Sequence, residues 1–388
     1  MRSNILCFVF LIFVQADAYS QGMHEDKTVF IFESSYVGDM LSNYSGGIER
    51  GSAYMGMIDL TATLNLEQIG LWRGGEFLVH VENTHGGTPS GELIGDLQVA
   101  SNIDNGNYTY LYELLYRQAL GDLDIIIGKQ DLNADFFVSD FAGEYINSSF
   151  GIMPTASLNA PVAIFPKTAL AAAVMYDFSE RVTFQAAIYD GNPLDLDSDP
   201  YSTDFRLSNE DGFMTFGELH IKSNIQGMPG GYKIGIFNHS SEFDNIDDPN
   251  MSYKGNTGVY FIADQLVYKE SADNKQGLGL FLKAGYASGS KNMTDIFMGF
   301  GANYYGLFSN REDDVLGVAL ARASIGNQMV DSSPDNILPH ETVIELIYAA
   351  SIHPHVTVKP DIQYIMNTGA DASLSNAIIS IVRFEIMF

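Results

Sequence analysis

Short segments in which apolar and polar side chains alternate recur along this chain. In Ala377–Phe388, AIISIVRFEIMF, one face is almost wholly apolar and the other carries Arg383 and Glu385. Glu76–Asn83, EFLVHVEN, sets ionisable residues against valines and a phenylalanine in the same way. Successive side chains of a strand point to opposite faces, so both segments are predicted to be strands with one apolar and one wet face. Such strands belong to a soluble sheet or to a membrane barrel.

Connections between these segments are alternately short and long. Thr168–Phe178 and Val182–Asp190 are separated by three residues, which predicts a hairpin, and Tyr108–Leu120 forms another with the segment after Gly121. Proline cannot sit in a central strand, so the proline-containing connections are predicted to be loops or plugs. The long polar connections are Thr84–Asn107, Ser139–Lys167, Gly191–Glu210 and Ser240–Asn256. This pattern predicts an all-β fold, a transmembrane antiparallel β-barrel of about sixteen strands with short periplasmic turns and long extracellular loops.

The first residues predict export. Arg2 precedes an apolar run from Ile5 to Val14, and Ala16-Asp17-Ala18 fits the small-x-small cleavage pattern. We therefore expect residues 1–18 to be a signal peptide and residues 19–388 to form the barrel. The single cysteine, Cys7, lies in the predicted signal peptide, which excludes disulfides and thiolate metal sites from the mature chain.

Composition supports a barrel and excludes one class of partner. The chain is 46% hydrophobic, with 37 Gly, 21 Tyr and 25 Phe, as aromatic girdles and tightly turning strands require. After the signal peptide, no uninterrupted apolar stretch reaches the length of roughly 18 residues that indicates a membrane helix. A formal net charge of -28 would repel phosphates, so nucleic acid is not an expected partner.

Charged residues within strands are the candidates for the pore lining. A charge facing lipid at mid-depth costs about 2–4 kcal/mol, so these side chains are expected to point inward. The alternative for each is a wall residue that is paired across the barrel and never meets solute. We expect one hairpin to contribute most to a constriction, through Glu113, Arg117, Lys129 and Asp131. The remaining inward candidates are Glu82, Glu218, Lys222, Arg322, Glu345, Lys359, Asp361, Arg383 and Glu385.

Metal binding and catalysis are not indicated by local motifs. The acidic run Asp195–Pro200 lacks the glycine of a calcium loop, and the twelfth position is Arg206 where a glutamate is needed. The eight histidines show no zinc-site spacing. Gly285–Gly289 contains a serine but is not a G-x-S-x-G elbow. We expect no metal, no cofactor and no enzyme activity.

Several stretches carry a family resemblance. The most specific are Tyr110–Phe137 and Phe165–Pro193, followed by Asp313–Ala321, Glu341–Ala370 and the terminal strand. With these segments the chain resembles the carbohydrate-selective outer-membrane porins of the OprB type. The resemblance implies a sixteen-stranded outer-membrane barrel through which sugars and other small hydrophilic solutes diffuse. The final Phe388 resembles the C-terminal signal that the barrel-assembly machinery reads.

The chain departs from that family in its positive charges. Sugar-selective members are thought to line the constriction with arginines and acidic residues, and this chain has only 20 Lys and Arg in all. An excess of acid favours cations. A general or cation-preferring porin, and a structural barrel plugged by Ser139–Lys167, therefore stay open as alternatives. The expected partners are sugars, outer-membrane lipid and the assembly machinery, and a homotrimer is a further open alternative.

Overall fold

Sixteen antiparallel strands close into a single barrel, with β1 pairing β16. The computed structural model describes residues 28–207, 211–248, 250–270 and 276–388, so the predicted signal peptide lies outside the described residues. The strands are β1 Phe30–Gly47, β2 Gly51–Asn65, β3 Gly75–Gly86, β4 Tyr108–Leu120, β5 Leu123–Gln130, β6 Ala169–Ser179, β7 Val182–Asp190, β8 Phe213–Ile225, β9 Met228–Asp244, β10 Ser252–Lys269, β11 Gly277–Ala287, β12 Thr294–Tyr305, β13 Val315–Ile325, β14 His340–His353, β15 Val356–Met366 and β16 Ser375–Met387.

Alternation along each strand sorts side chains between the outer and inner surfaces. On β9, Ile234 and Ile236 are exposed on the outer surface, whereas the alternating residues Lys233, Gly235 and Phe237 are buried inside. Exposed isoleucines in such rows are stable where the surrounding medium is hydrocarbon. Among the described residues, no helix is long and apolar enough to cross a membrane.

The two ends of the barrel differ in the length of their connections. At the short-turn end, residues 121–122, 180–181 and 226–227 join neighbouring strands. Gln226 and Gly227 both have positive φ, as a two-residue hairpin turn requires. At the long-loop end, residues 87–107, 131–168, 191–212 and 326–339 form the longer connections. Two short helices lie there, α1 Pro154–Ser157 and α2 Asn327–Ser332.

The predicted strands are confirmed except in the region around β12. The residues between Ala287 and Val315 show no clear apolar alternation, and the sequence therefore predicts no strand there, yet Thr294–Tyr305 is β12. Its inward row contains Gly299 and Gly301, and a side chain at Gly301 would meet Phe281 at 2.4 Å, so small residues hide the apolar alternation. The prediction of a long loop over Ser240–Asn256 was also wrong, because β9 and β10 extend and leave only residues 245–251 between them.

The hydrophobic core lies inside the barrel. Aromatic residues of the β5–β6 connection pack against the inward rows of the second half of the wall, and the Phe137 ring stacks on Tyr260 with 4.0 Å between centroids. The interior of this barrel is therefore partly filled by the chain's own connections.

Candidate functional site

The longest connection, residues 131–168, crosses the barrel interior, and we call it the long inner segment. Lys283 on β11 is fully buried, and its ammonium donates to the carbonyl oxygens of Phe137 at 2.9 Å and Phe150 at 2.6 Å, and to that of Gly151. A buried ammonium needs several acceptors to offset its desolvation. Lys283 thereby fixes two distant parts of the segment to one point on the wall.

Two carboxylates and a second lysine on other strands also hold the long inner segment to the barrel wall. Asp264 on β10 accepts the Ser139 hydroxyl at 2.6 Å. Glu345 on β14 accepts the amides of residues 146 and 147 at 2.6 and 3.2 Å, and Lys359 on β15 donates to the Glu144 carbonyl at 3.0 Å. Glu345 and Lys359 were expected to line the pore. They point inward, and their contacts fit the wall-residue alternative.

The β3–β4 connection, residues 87–107, also folds inward, and we call it the short inner segment. Glu341 on β14 accepts the amides of Leu97 and Gln98 at 3.0 and 2.8 Å. The two inner segments bond to each other, with Asn102 N donating to Ile146 O at 3.0 Å and residue 148 N donating to residue 99 O at 2.9 Å. Together they form one inserted layer.

This layer covers the interior unevenly. The inward rows of β13 and β14 are almost completely buried, with Ala321 and Glu345 both at 0% exposure. Apart from β7, the inward rows of the first eight strands stay partly open from mid-strand to the short-turn end, where the side chains of Asp59, Arg117 and Asp124 are 20%, 15% and 17% exposed. Solvent-accessible polar wall is therefore concentrated on one side.

The four residues expected to act together on the β4–β5 hairpin are separated. In the pairing of β3 with β4, His80 lies opposite Glu113, and the next residue, Val81, lies opposite Leu111. Tyr112 is therefore the extra residue of a β-bulge, and it is buried on the same side of the strand as Glu113. Simple alternation along Tyr108–Leu120 predicts Tyr112 and Glu113 on opposite faces, and this prediction is wrong because the bulge breaks the alternation. Glu113 accepts the amide of Asp131 at 3.0 Å, whereas Arg117 pairs with Asp124.

Two charged residues, Lys129 and Arg322, were expected to point inward but lie on outer rows. Lys129 lies opposite Leu170, whose row continues through exposed Ala172 and Val174, and its ammonium lies 5.8 Å from the Phe205 ring centre under the β7–β8 connection. Arg322 is exposed on the outer row of β13, three residues from the end of that strand. Close to the barrel rim, a charge reaches polar surroundings from the outer surface, so the cost of facing lipid falls.

The last two strands place their candidate residues inside. Arg383 forms a bidentate ion pair with Asp39 at 2.8 Å for both bonds, and the ammonium of Lys359 lies 3.6 Å from Glu385. Asp361 is buried and accepts the Gln363 amide at 3.2 Å. Asp39 was not among the sequence candidates, because the apolar first segment, Thr28–Tyr36, ends before it.

Glu82 belongs to a group that also includes Asp59, His80 and Glu113. His80 Nε2 lies 3.2 Å from Asp59 Oδ1, and His80 Nδ1 lies 3.4 Å from Glu113 Oε2. No local motif indicates this group, because its members come from three strands and meet only through strand pairing.

Five carboxyls of the inner segments, Asp96, Asp104, Asp131, Asp135 and Glu144, have a pKa raised above the ordinary value, chiefly by burial. Burial and the nearby Glu341 raise the pKa of Asp96 to about 7. Burial and Glu113 raise the pKa of Asp131 to about 7, against the opposing hydrogen bond from the Asn133 amide. Burial disfavours the charged form of both groups.

A closed sixteen-stranded barrel with an apolar outer surface and connections folded into a partly polar interior is the architecture of an outer-membrane porin. The model of the carbohydrate-selective porin, OprB family, matches residues 49–388, and the chain belongs to that family. The chain is thus an outer-membrane porin of the carbohydrate-selective family.

Relatives agree over nearly the whole length. The chain is 24% identical to Porin B of Pseudomonas aeruginosa, over 92% of this chain and 87% of the relative. It is 20% identical to the putative porin QuiX of Acinetobacter baylyi, over 94% and 90%. The high-pH structure of Pseudomonas putida OprB shares the fold, with a TM-score of 0.84 and 23% identity over 94% of this chain and 95% of that one.

Proposed function

We propose that this porin conducts sugars and other small hydrophilic solutes by passive diffusion, along a path on the inner side of β2–β8. The observation that carries the proposal is the uneven cover of the interior. The inward rows of β10–β15 are almost completely buried under the inner segments, whereas those of β2–β6 and β8 keep partly exposed polar side chains, and only β7 of this group has a buried inward row. Water beside such a wall removes the cost of taking a polar solute through hydrocarbon.

The charges along this wall support solute discrimination. Arg117 and Asp124 form an ion pair on neighbouring strands, and opposed charges hydrogen-bond hydroxyl groups of sugars. Acids outnumber bases among the partly exposed charged residues of these inward rows, which are Asp59, Glu76, Arg117, Asp124, Asp177 and Lys222. This excess favours a second candidate function, a cation-preferring porin without sugar selectivity.

Single-channel recording of the refolded mature protein in a planar bilayer tests the function. Open steps that glucose blocks in a saturable way support a sugar path. Steps that no sugar blocks, with a reversal potential set by the cation gradient, support the second candidate. A folded barrel without steps would leave the plugged structural barrel.

Cysteine labelling tests the position of the path, because the chain from Tyr19 onward contains no cysteine. Thr63 lies on the half-exposed inward row of β2, opposite Leu78. A charged thiol reagent should lower the conductance of Thr63→Cys. Ala321→Cys, on the inward row of β13 at 0% exposure, is the matched control and should not react. Equal responses from both variants would contradict the proposed path.

Assembly in the outer membrane is part of the same proposal. The outer apolar rows contact lipid, and Phe388 is the signal that the barrel-assembly machinery recognises. The Phe388 side chain is 78% exposed at the end of the barrel, where a receptor can reach it. Assembly as a homotrimer is left to a measurement of oligomeric state in detergent.

A further inference from the structure

Strand pairing brings a histidine and two carboxylates to one point of the inner wall. Asp59 on β2 lies directly opposite Glu82 on β3, and His80 is two residues before Glu82 on the same inward row. Inward neighbours on paired strands lie within reach of each other's side chains. One ligand atom from each residue lies within 4.8 Å of those from the other two.

The distances suit a small divalent ion. Zinc bonds of 2.0–2.2 Å in a tetrahedral site place the ligand atoms about 3.3 Å apart. His80 Nε2 lies 3.2 Å from Asp59 Oδ1 and 3.9 Å from Glu82 Oε1. All three ligand atoms lie within 4.8 Å of one another, so each pair needs to close by at most about 1.5 Å to reach the spacing of a tetrahedral zinc site.

Each of these groups is oriented by a second contact on its far side. Ser35 donates to Asp59 Oδ2 at 2.9 Å, and the Tyr110 hydroxyl donates to Glu82 Oε2. The oxygens that remain, Asp59 Oδ1 and Glu82 Oε1, are the two that approach His80 Nε2. Outer contacts of this kind hold the ligands of metal sites in place.

His80 itself is held as metal-binding histidines are. Its Nδ1 lies 3.4 Å from Glu113 Oε2, and the edge of the Tyr112 ring packs against the imidazole with 5.1 Å between centroids. A carboxylate on Nδ1 fixes the tautomer that leaves Nε2 as an electron-pair donor. The bulge in β4 supplies both contacts, because it turns Tyr112 and Glu113 to the same side.

The local charge is also unbalanced. Three carboxylates surround one imidazole, and the side chains of His80, Glu82 and Glu113 are at most 10% exposed. Buried carboxylates are stabilised by cations, and a dication would balance this group. The side chain of Asp59 is 20% exposed, so the group is open to the interior on that side.

We infer that Asp59, His80 and Glu82 form a binding site for one divalent transition-metal ion of the Zn²⁺ type, with water as the fourth ligand and with Glu113 orienting His80. One nitrogen and two carboxylate oxygens make a mixed set that suits Zn²⁺ better than Ca²⁺ or Mg²⁺, which take oxygen ligands. The site lies on the wall proposed to line the solute path. Its existence does not depend on that function.

Zinc titration of the metal-stripped, refolded mature barrel by isothermal calorimetry tests the inference. We expect one Zn²⁺ per chain, and anomalous diffraction at the zinc edge should place it about 2.0–2.2 Å from His80 Nε2. His80→Gln should abolish binding, and Asp59→Asn should weaken it at least tenfold. Glu113→Gln should weaken it about tenfold by releasing the imidazole.

His220→Gln is the matched control, because His220 lies on the inward row of β8, remote in strand order from this group. It should bind zinc as the unchanged protein does. Folding of every variant is checked by heat-modifiable migration, and Asp59→Asn, at the accessible edge, remains informative if His80→Gln does not fold. Absence of zinc binding, binding retained in both His80→Gln and Asp59→Asn, or tighter binding of Ca²⁺ than of Zn²⁺ would overturn the inference.

Discussion

Arg383 and Asp39 face each other across the seam at which β16 closes onto β1. They are direct partners in the strand register, and the guanidinium donates through Nε and Nη2 to the two carboxylate oxygens at 2.8 Å each. The same guanidinium donates to Asn102 Oδ1 at 2.7 Å. One side chain therefore joins the barrel seam to the short inner segment.

Arg383→Met should strongly destabilise the barrel, because it leaves the Asp39 carboxylate buried without its partner. Removing one member of a buried pair costs about 3–5 kcal/mol. The free energy of unfolding from urea titration in lipid vesicles measures the loss. The double variant Asp39→Leu/Arg383→Met should lose less than Arg383→Met alone, and losses that simply add would show that the two residues are not coupled.

Lys283→Met should loosen the long inner segment, because the carbonyl oxygens of Phe137, Phe150 and Gly151 lose their shared donor. An unsatisfied buried acceptor costs about 1–3 kcal/mol. Hydrogen exchange over residues 137–151 should become faster, and the open-channel current should become noisier. Lys222→Met, at an inward lysine on β8, is the control that should leave the hydrogen exchange of residues 137–151 unchanged. Unchanged exchange in Lys283→Met would argue against the anchoring role.

The short inner segment should become more stable as the pH falls. Burial raises the pKa of Asp96 to about 7 in the folded chain, whereas an aspartate in the unfolded chain has its ordinary pKa of 3.8, so the folded state binds more protons between these two pH values. The contribution of Asp96 to the free energy of unfolding is therefore fully present below about pH 4, and it is lost as the pH rises through about 7.

Hydrogen exchange over residues 97–102, corrected for intrinsic rates, measures this dependence from pH 5 to 8. Asp96→Asn should flatten the profile, and Asp122→Asn in the β4–β5 turn should not. If the pH dependence of hydrogen exchange stays equally steep in Asp96→Asn, the stabilisation at low pH comes from other carboxyls.

Phe388→Ala should reduce insertion in cells without weakening the finished barrel. Phe388 is 78% exposed. Its backbone N–H donates a hydrogen bond to the Ser34 carbonyl oxygen at 3.0 Å, and an alanine at this position keeps that bond. The amount of barrel in the outer membrane should fall several-fold, whereas the urea midpoint of refolded protein should stay the same. A lowered midpoint would indicate a structural role for the ring.

Periodicity alone was sufficient to predict most of the wall. In the terminal strand, Ile379, Ile381 and Arg383 are buried and Ile378 and Phe384 are exposed, as the alternation of AIISIVRFEIMF predicted. Local alternation determines the side of a strand because successive side chains must point to opposite faces. It fails where the backbone departs from the repeat, as at the bulge between Tyr112 and Glu113.

The same reasoning could not locate the interior contacts. Lys283 did not appear among the candidates, and its partners lie more than 130 residues away along the chain. The group of Asp59, His80 and Glu82 depends on the register between β2 and β3. A one-residue slip would turn one of these rows outward.

The sequence by itself determined that this protein is a membrane barrel of short alternating strands, because the side-chain period of a strand is a local property, and its resemblance to the carbohydrate-selective porins indicated the family. Only the tertiary structure decided which charges anchor the inner segments, which remain open to the interior and which meet around His80. Those outcomes depend on register and on loop placement, and both are set by packing between residues far apart in the chain.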